Sequence, residues 1–88
     1  MHELSLAIAL VEVASDAAHS LGASRVSRLF VRLGPGAGVA AEALRFSFDL
    51  AAEGTILQGA RLEVEAGEGR HLQLRAMEVV DAALPANC

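Results

Sequence analysis

The stretch Arg25-Val26-Ser27-Arg28-Leu29-Phe30-Val31-Arg32-Leu33-Gly34-Pro35-Gly36-Ala37-Gly38 decides the fold. Residues 25–33 alternate: Leu29, Val31 and Leu33 point one way, and Val26, Arg28, Phe30 and Arg32 point the other. A period of two indicates a half-buried strand whose second face is solvated and basic. The glycine–proline run from Gly34 to Gly38 ends that strand in a loop.

On the N-terminal side, Leu4 to Leu21 reads as a helix. Leu4, Ala7, Ile8, Val11, Ala14, Ala18 and Leu21 recur at spacings of three and four, with Glu12, Ser15, Asp16 and His19 opposite. Glu3 sits in or just before the first turn, where a carboxylate favours the helix dipole, and Gly22 marks the stop. On the C-terminal side, Ala40 to Ala52 reads as a second helix. Its expected buried stripe is Ala40, Leu44, Phe48 and Ala51, widened by Ala43 and Leu50, with Glu42, Arg45, Asp49 and Glu53 outward. Thr55–Gly59 is a short connection. Arg61–Glu65 alternates with Leu62 and Val64 inward, Ala66–Gly69 is a tight turn, and His71–Val79 is a third strand with Leu72, Leu74 and Ala76 on one face. The last two strands are expected to form a hairpin.

The order is helix, strand, helix, strand, strand. An α+β fold follows: two layers, with two helices packed on one face of a three-stranded mixed sheet. The first two strands are joined through a helix and should be parallel if adjacent. Residues 1–81 are expected to form one domain, and 82–88, with Pro85 and Cys88, a flexible tail.

Composition narrows the function. The 88 residues carry a net charge of −4 and no basic run, which argues against nucleic acid and anionic membranes as partners. No uncharged apolar run is long enough to span a bilayer, and the N-terminus lacks a secretory signal. Cys88 is the single cysteine, so an internal disulfide and a structural zinc site of several thiolates are both excluded. A cytoplasmic location is expected. The serines have no catalytic motif around them and no nucleophile–base pair is present, so no enzymatic activity is expected.

The chemistry concentrates at Met1-His2-Glu3. The α-amine of Met1, the His2 amide nitrogen and an imidazole nitrogen can close fused rings around one ion. Nitrogen-rich planar coordination suits Ni(II) or Cu(II) better than Zn(II) or Mg(II). The competing reading of His2 is a solvated side chain on a frayed end, and Glu3 reads equally as a carboxylate ligand or as a first-turn helix charge. His19 and His71 read as solvated, with His71 able to assist only if the fold brings it near the N-terminus. Gly34-Pro35-Gly36-Ala37-Gly38 lacks the Gly-Lys-Ser/Thr ending of a phosphate loop and reads as a turn. Arg25, Arg28 and Arg32 read as a solvated face or as a docking edge for an acidic partner. Cys88 is expected neither to ligate metal nor to form a disulfide.

Four ordered segments carry a family resemblance. Met1-His2-Glu3-Leu4-Ser5-Leu6-Ala7 resembles the start of the HypA/HybF nickel-incorporation proteins. Gly38-Val39 with Glu42-Ala43-Leu44-Arg45-Phe46-Ser47-Phe48 resembles that family's second helix. Gly54-Thr55 with Gly59-Ala60-Arg61-Leu62-Glu63-Val64-Glu65 resembles its second strand, and Met77-Glu78-Val79 its closing strand. The resemblance implies a metallochaperone that delivers Ni(II) during maturation of [NiFe] hydrogenases, and of urease in some organisms. It implies a HypB-type GTPase and the hydrogenase large subunit as partners. It implies nickel binding through Met1 and His2, with Glu3 as a further candidate. The family's zinc-binding insert, with two pairs of cysteines, is replaced here by Ala66-Gly67-Glu68-Gly69, so no structural zinc is expected. A non-metal interaction module is the alternative, self-associating as a homodimer through a sheet edge or a swapped hairpin.

Overall fold

A computed structural model describes residues 2–81. Helix α1 spans His2–Ser20, strand β1 Arg25–Leu33, helix α2 Ala41–Ala52, strand β2 Arg61–Ala66 and strand β3 Leu72–Val80, with a single 3-10 turn at Pro35–Ala37. The expected tail, residues 82–88, lies outside the described residues. Two helices over a three-stranded mixed sheet is the α+β architecture that the periodicities imply.

The sheet order is β2-β1-β3. β1 pairs with β2 in parallel, Leu29 opposite Leu62 and Val31 opposite Val64. It pairs with β3 antiparallel, Leu29 opposite Met77. The expected hairpin between the last two strands is therefore absent: β1 separates them. The residues between β2 and β3 instead cross the end of β1. Three backbone bonds hold that crossover: Gly67 N–H to the Leu33 carbonyl (2.9 Å), Gly34 N–H to the His71 carbonyl (2.9 Å) and Gly36 N–H to the Gly69 carbonyl (2.7 Å). β1 is apolar on its inner face and gains hydrogen-bond partners on both edges this way. A hairpin would have left one edge of that buried strand unpaired.

Two bulges correct the expected faces. Val26 pairs with Val79 and Arg28 with Glu78, so Ser27 is an extra residue and the alternation inverts there. Val26 thus joins Leu29 and Val31 in the core rather than the basic face. On β3, Phe30 pairs with Ala76 and Val31 with Leu74, leaving Arg75 extra. The inward set passes from Leu72 and Leu74 to Met77 and Val79, and Ala76 is exposed.

The core lies between the layers. α1 contributes Ala7, Leu10, Val11, Ala14 and Ala18, and α2 contributes Leu44, Phe48 and Ala52. Leu10, not Ile8, completes the stripe of α1, because the helix also leans on β3. Leu6, Leu10 and Val13 form a groove with His71, Leu72 and Leu74. On α2 the buried edge is Ser47 and Ala52, and Leu50 is exposed. Leu57, in the connection between α2 and β2, is fully buried. The Thr55 hydroxyl sets its position, accepting from the Leu57 N–H (3.0 Å) while donating to the Ala52 carbonyl (2.7 Å).

β1 follows α1 through a short turn, and α2 connects β1 to a parallel neighbour. Both helices therefore run opposite to β1 and begin at the end where β1 stops. That end also holds the Gly34–Gly36 loop and the crossover.

Candidate functional site

Met1 lies outside the described residues. His2 is the first residue of α1 and is exposed, and Glu3 is half-buried in the first turn. This placement bears on the chelate. The first four N–H groups of a helix have no intrahelical acceptor. The His2 amide is thus outside the hydrogen-bond ladder, and giving up its proton to a metal breaks no helical bond. A bare cation is disfavoured at a helix N-terminus by about 0.3–1 kcal/mol, because the dipole is positive there. Loss of the amide proton makes the ligand set anionic, and the Glu3 carboxylate lowers the local potential further.

The other histidines separate. His19 is exposed in the last turn of α1, 17 residues from His2. At 1.5 Å per residue the two lie about 26 Å apart and cannot share an ion. His71 is exposed and stands across the groove from Leu6, at the same end of the molecule as His2. Among the described residues, no group of three or more His, Cys, Asp or Glu side chains is placed to hold a metal.

The glycine loop is structural. The N–H groups of Gly34 and Gly36 are spent on the crossover carbonyls, so they do not line a phosphate cradle. Two of the three arginines of β1, Arg28 and Arg32, are likewise engaged. Arg28 reaches Glu63 on β2 (3.7 Å) and Glu78 on β3 (3.4 Å). Glu65 receives Arg32 (3.3 Å) and Arg75 (3.4 Å). The open sheet face is thus zipped by its own opposite charges, which weakens the docking-edge reading. The signal for this was the Glu63/Glu65 spacing on β2, but it becomes readable only once β1 is known to be central. These pairs are half-exposed, so each contributes about 0–1 kcal/mol. Arg28→Ala should lower stability by less than about 1 kcal/mol in urea titration, with the cost shrinking in high salt.

No helix among the described residues is long and apolar enough to cross a membrane. The family profile described as hydrogenase/urease nickel incorporation, metallochaperone, hypA matches residues 1–79. A hydrogenase maturation factor HypA of Chloroflexus aurantiacus is 57% identical over 65 residues, covering 74% of this chain and 57% of its own length. One from Deinococcus radiodurans is 51% identical over 65 residues, covering 74% of this chain and 54% of its own length. The chain therefore spans little more than half the length of these relatives. The solution structure of the Ni metallochaperone HypA from Helicobacter pylori superposes with a TM-score of 0.75 at 14% identity, over 91% of this chain and 98% of that one. That likeness concerns the fold. The profile and the identities together decide the family: this chain belongs to the HypA family of hydrogenase/urease nickel-incorporation metallochaperones.

Proposed function

We propose that this chain binds Ni(II) as cargo at its N-terminus and releases it during maturation of a [NiFe] hydrogenase. The Met1 amine, the His2 amide and the His2 imidazole are the principal ligands, and Glu3 supplies charge or a fourth donor. The observation that carries this reading is the position of His2: exposed, first in α1, with an amide outside the helical ladder, in a chain of the nickel-incorporation family. An exposed chelate with open positions exchanges its metal more readily than a closed cage, as a delivery protein requires.

Hand-over involves a HypB-type GTPase and the hydrogenase large subunit, in the cytoplasm. Urease is a second client class, in keeping with the family description. The crossover at 67–71 stands where the resemblance puts a zinc module, and we read the nickel end as working without structural zinc. Self-association through a swapped final hairpin has no basis in a sheet where β2 and β3 are not partners.

Titration calorimetry with Ni(II) tests the site on three proteins: the untagged chain, His2→Ala, and a version with extra N-terminal residues. The untagged chain should bind one equivalent. Both altered proteins should bind at least tenfold more weakly, a loss of about 1.4 kcal/mol or more. Binding by the untagged chain should weaken as the pH is lowered, because amine, amide and imidazole must all be deprotonated. Equal binding by the three would remove the N-terminus from the site.

A further inference from the structure

The net charge and the exposed apolar side chains are unevenly distributed, and they coincide. α1, α2 and Glu53, which follows α2 directly, carry six carboxylates (Glu3, Glu12, Asp16, Glu42, Asp49, Glu53) against one guanidinium, Arg45. The remaining residues carry six arginines against five carboxylates. The helical layer thus carries a net −5 and the remaining residues +1, which together give the chain's −4. Arg45 does not offset it outwardly, since its Nε donates to the Leu62 carbonyl at the β2 edge (3.3 Å). Among the described residues, the large exposed apolar side chains are Ile8, Val13, Leu21, Phe46 and Leu50, all on the helices or immediately after α1.

Helical geometry sets two of them, Ile8 and Leu50, on the flanks that α1 and α2 turn toward each other, with Phe46 one turn from Leu50. α1 and α2 pack side by side. On α1, Leu6 and Val13 flank the groove toward β3, so Ile8, on the opposite flank of the buried stripe, faces α2. On α2, Arg45 and Asp49 flank β2, so Leu50 leans toward α1, and Phe46, one turn before it, points outward. Phe46 is 67% exposed, Leu50 49% and Ile8 46%. Large apolar side chains on a solvated surface mark a contact site when they cluster.

We infer that the seam between α1 and α2, centred on Ile8, Phe46 and Leu50 and set in the acidic helical layer, docks an amphipathic helix of a partner protein whose apolar stripe is flanked by lysine or arginine. The apolar centre takes the stripe, as in helix-in-groove recognition. The carboxylates select basic flanks and repel acidic ones. A second copy of this chain is the wrong occupant, because its helical layer carries the same excess of negative charge. The surface uses neither His2 nor metal, so the inference goes beyond the nickel site and stands or falls separately from it.

The test uses ¹⁵N-labelled full chain and two synthetic 18-residue helical peptides. One carries a leucine stripe with lysine flanks, the other the same stripe with glutamate flanks. The lysine peptide should saturate, shift the amides of Ile8, Phe46 and Leu50, and lose affinity at high salt. The glutamate peptide should bind at least tenfold more weakly. Phe46→Ser with Leu50→Ser, both at exposed positions, should reduce lysine-peptide binding tenfold or more while leaving Ni(II) binding unchanged and the chain folded, with the melting temperature lowered by no more than several degrees. Equal binding of the two peptides, shifts confined to the sheet face, or a dimer abolished by the Phe46/Leu50 variant would each overturn the inference.

Discussion

Phe48→Ala should cost about 3–5 kcal/mol and lower the urea midpoint of unfolding accordingly. Phe48 is fully buried and is the largest such side chain in the core. It belongs to a single core cluster in which Ala7, Ala14, Ala18 and Ala52 accompany Leu29, Leu44 and Leu57. A close-packed core closes only partly over a vacancy of that size, so the cavity adds to the lost transfer free energy. A domain of 88 residues has about 4–13 kcal/mol of stability in total. A loss of this size therefore consumes a large share of it. Urea titration followed by far-UV circular dichroism reads the effect. Phe46→Ala, two positions away and mostly exposed, is the matched control and should change stability by less than about 0.5 kcal/mol. Similar losses in both would mean that α2 presents a different face to the sheet.

Gly34→Ala comes next in size, at about 3 kcal/mol. Gly34 has φ −77° and ψ 148°, a conformation any residue adopts, so backbone strain is not the cause. The cause is contact: a Cβ there would lie 2.5 Å from the Glu68 and Gly69 carbonyl oxygens. These are backbone atoms of the crossover, held by the bonds of Gly34, Gly36 and Gly67, and they cannot swing aside as a side chain tip would. Relief requires breaking at least one of those bonds or displacing the start of β3, at the upper end of overpacking costs. Gly38→Ala separates the two effects. Gly38 has φ 80° with open space around it, so its penalty is conformational alone, about 1 kcal/mol. Amide exchange at Gly36 and Gly67 should accelerate in Gly34→Ala and stay unchanged in Gly38→Ala. The reverse pattern would place the crossover elsewhere.

The elements were legible because each is local. β1 has the bounds its alternation implies, and α1 and α2 fall within two residues of theirs. Strand order was not legible. Arg61–Ala66 and Leu72–Val80 are near neighbours in sequence with a glycine-rich turn between them, which is the pattern of a hairpin. What decides against it is a tertiary fact: β1 is buried on its inner face and has two edges to satisfy. The bulges at Ser27 and Arg75 follow from that pairing and shift two faces that a strict period of two assigns differently. Ile8 and Leu10 exchanged roles for the same kind of reason, since the lean of α1 toward β3 is no property of α1 alone. The candidate nickel site is contiguous in sequence, so residues alone could nominate it. Residues alone could not show that His19 is a helix length away from it while His71 shares its end of the molecule.

The central place of β1 also sets an order of events during synthesis. Arg25 pairs with Val80, so one full edge of the central strand waits for residues made 55 positions later. Until β3 leaves the ribosome, the nascent chain presents Leu29 and Val31 with an unpaired flank, open to wrong partners. Pairings this distant in sequence are slow to form. The short pinned crossover shortens that exposure, since β3 starts at the tip of β1 and needs only to zip down it.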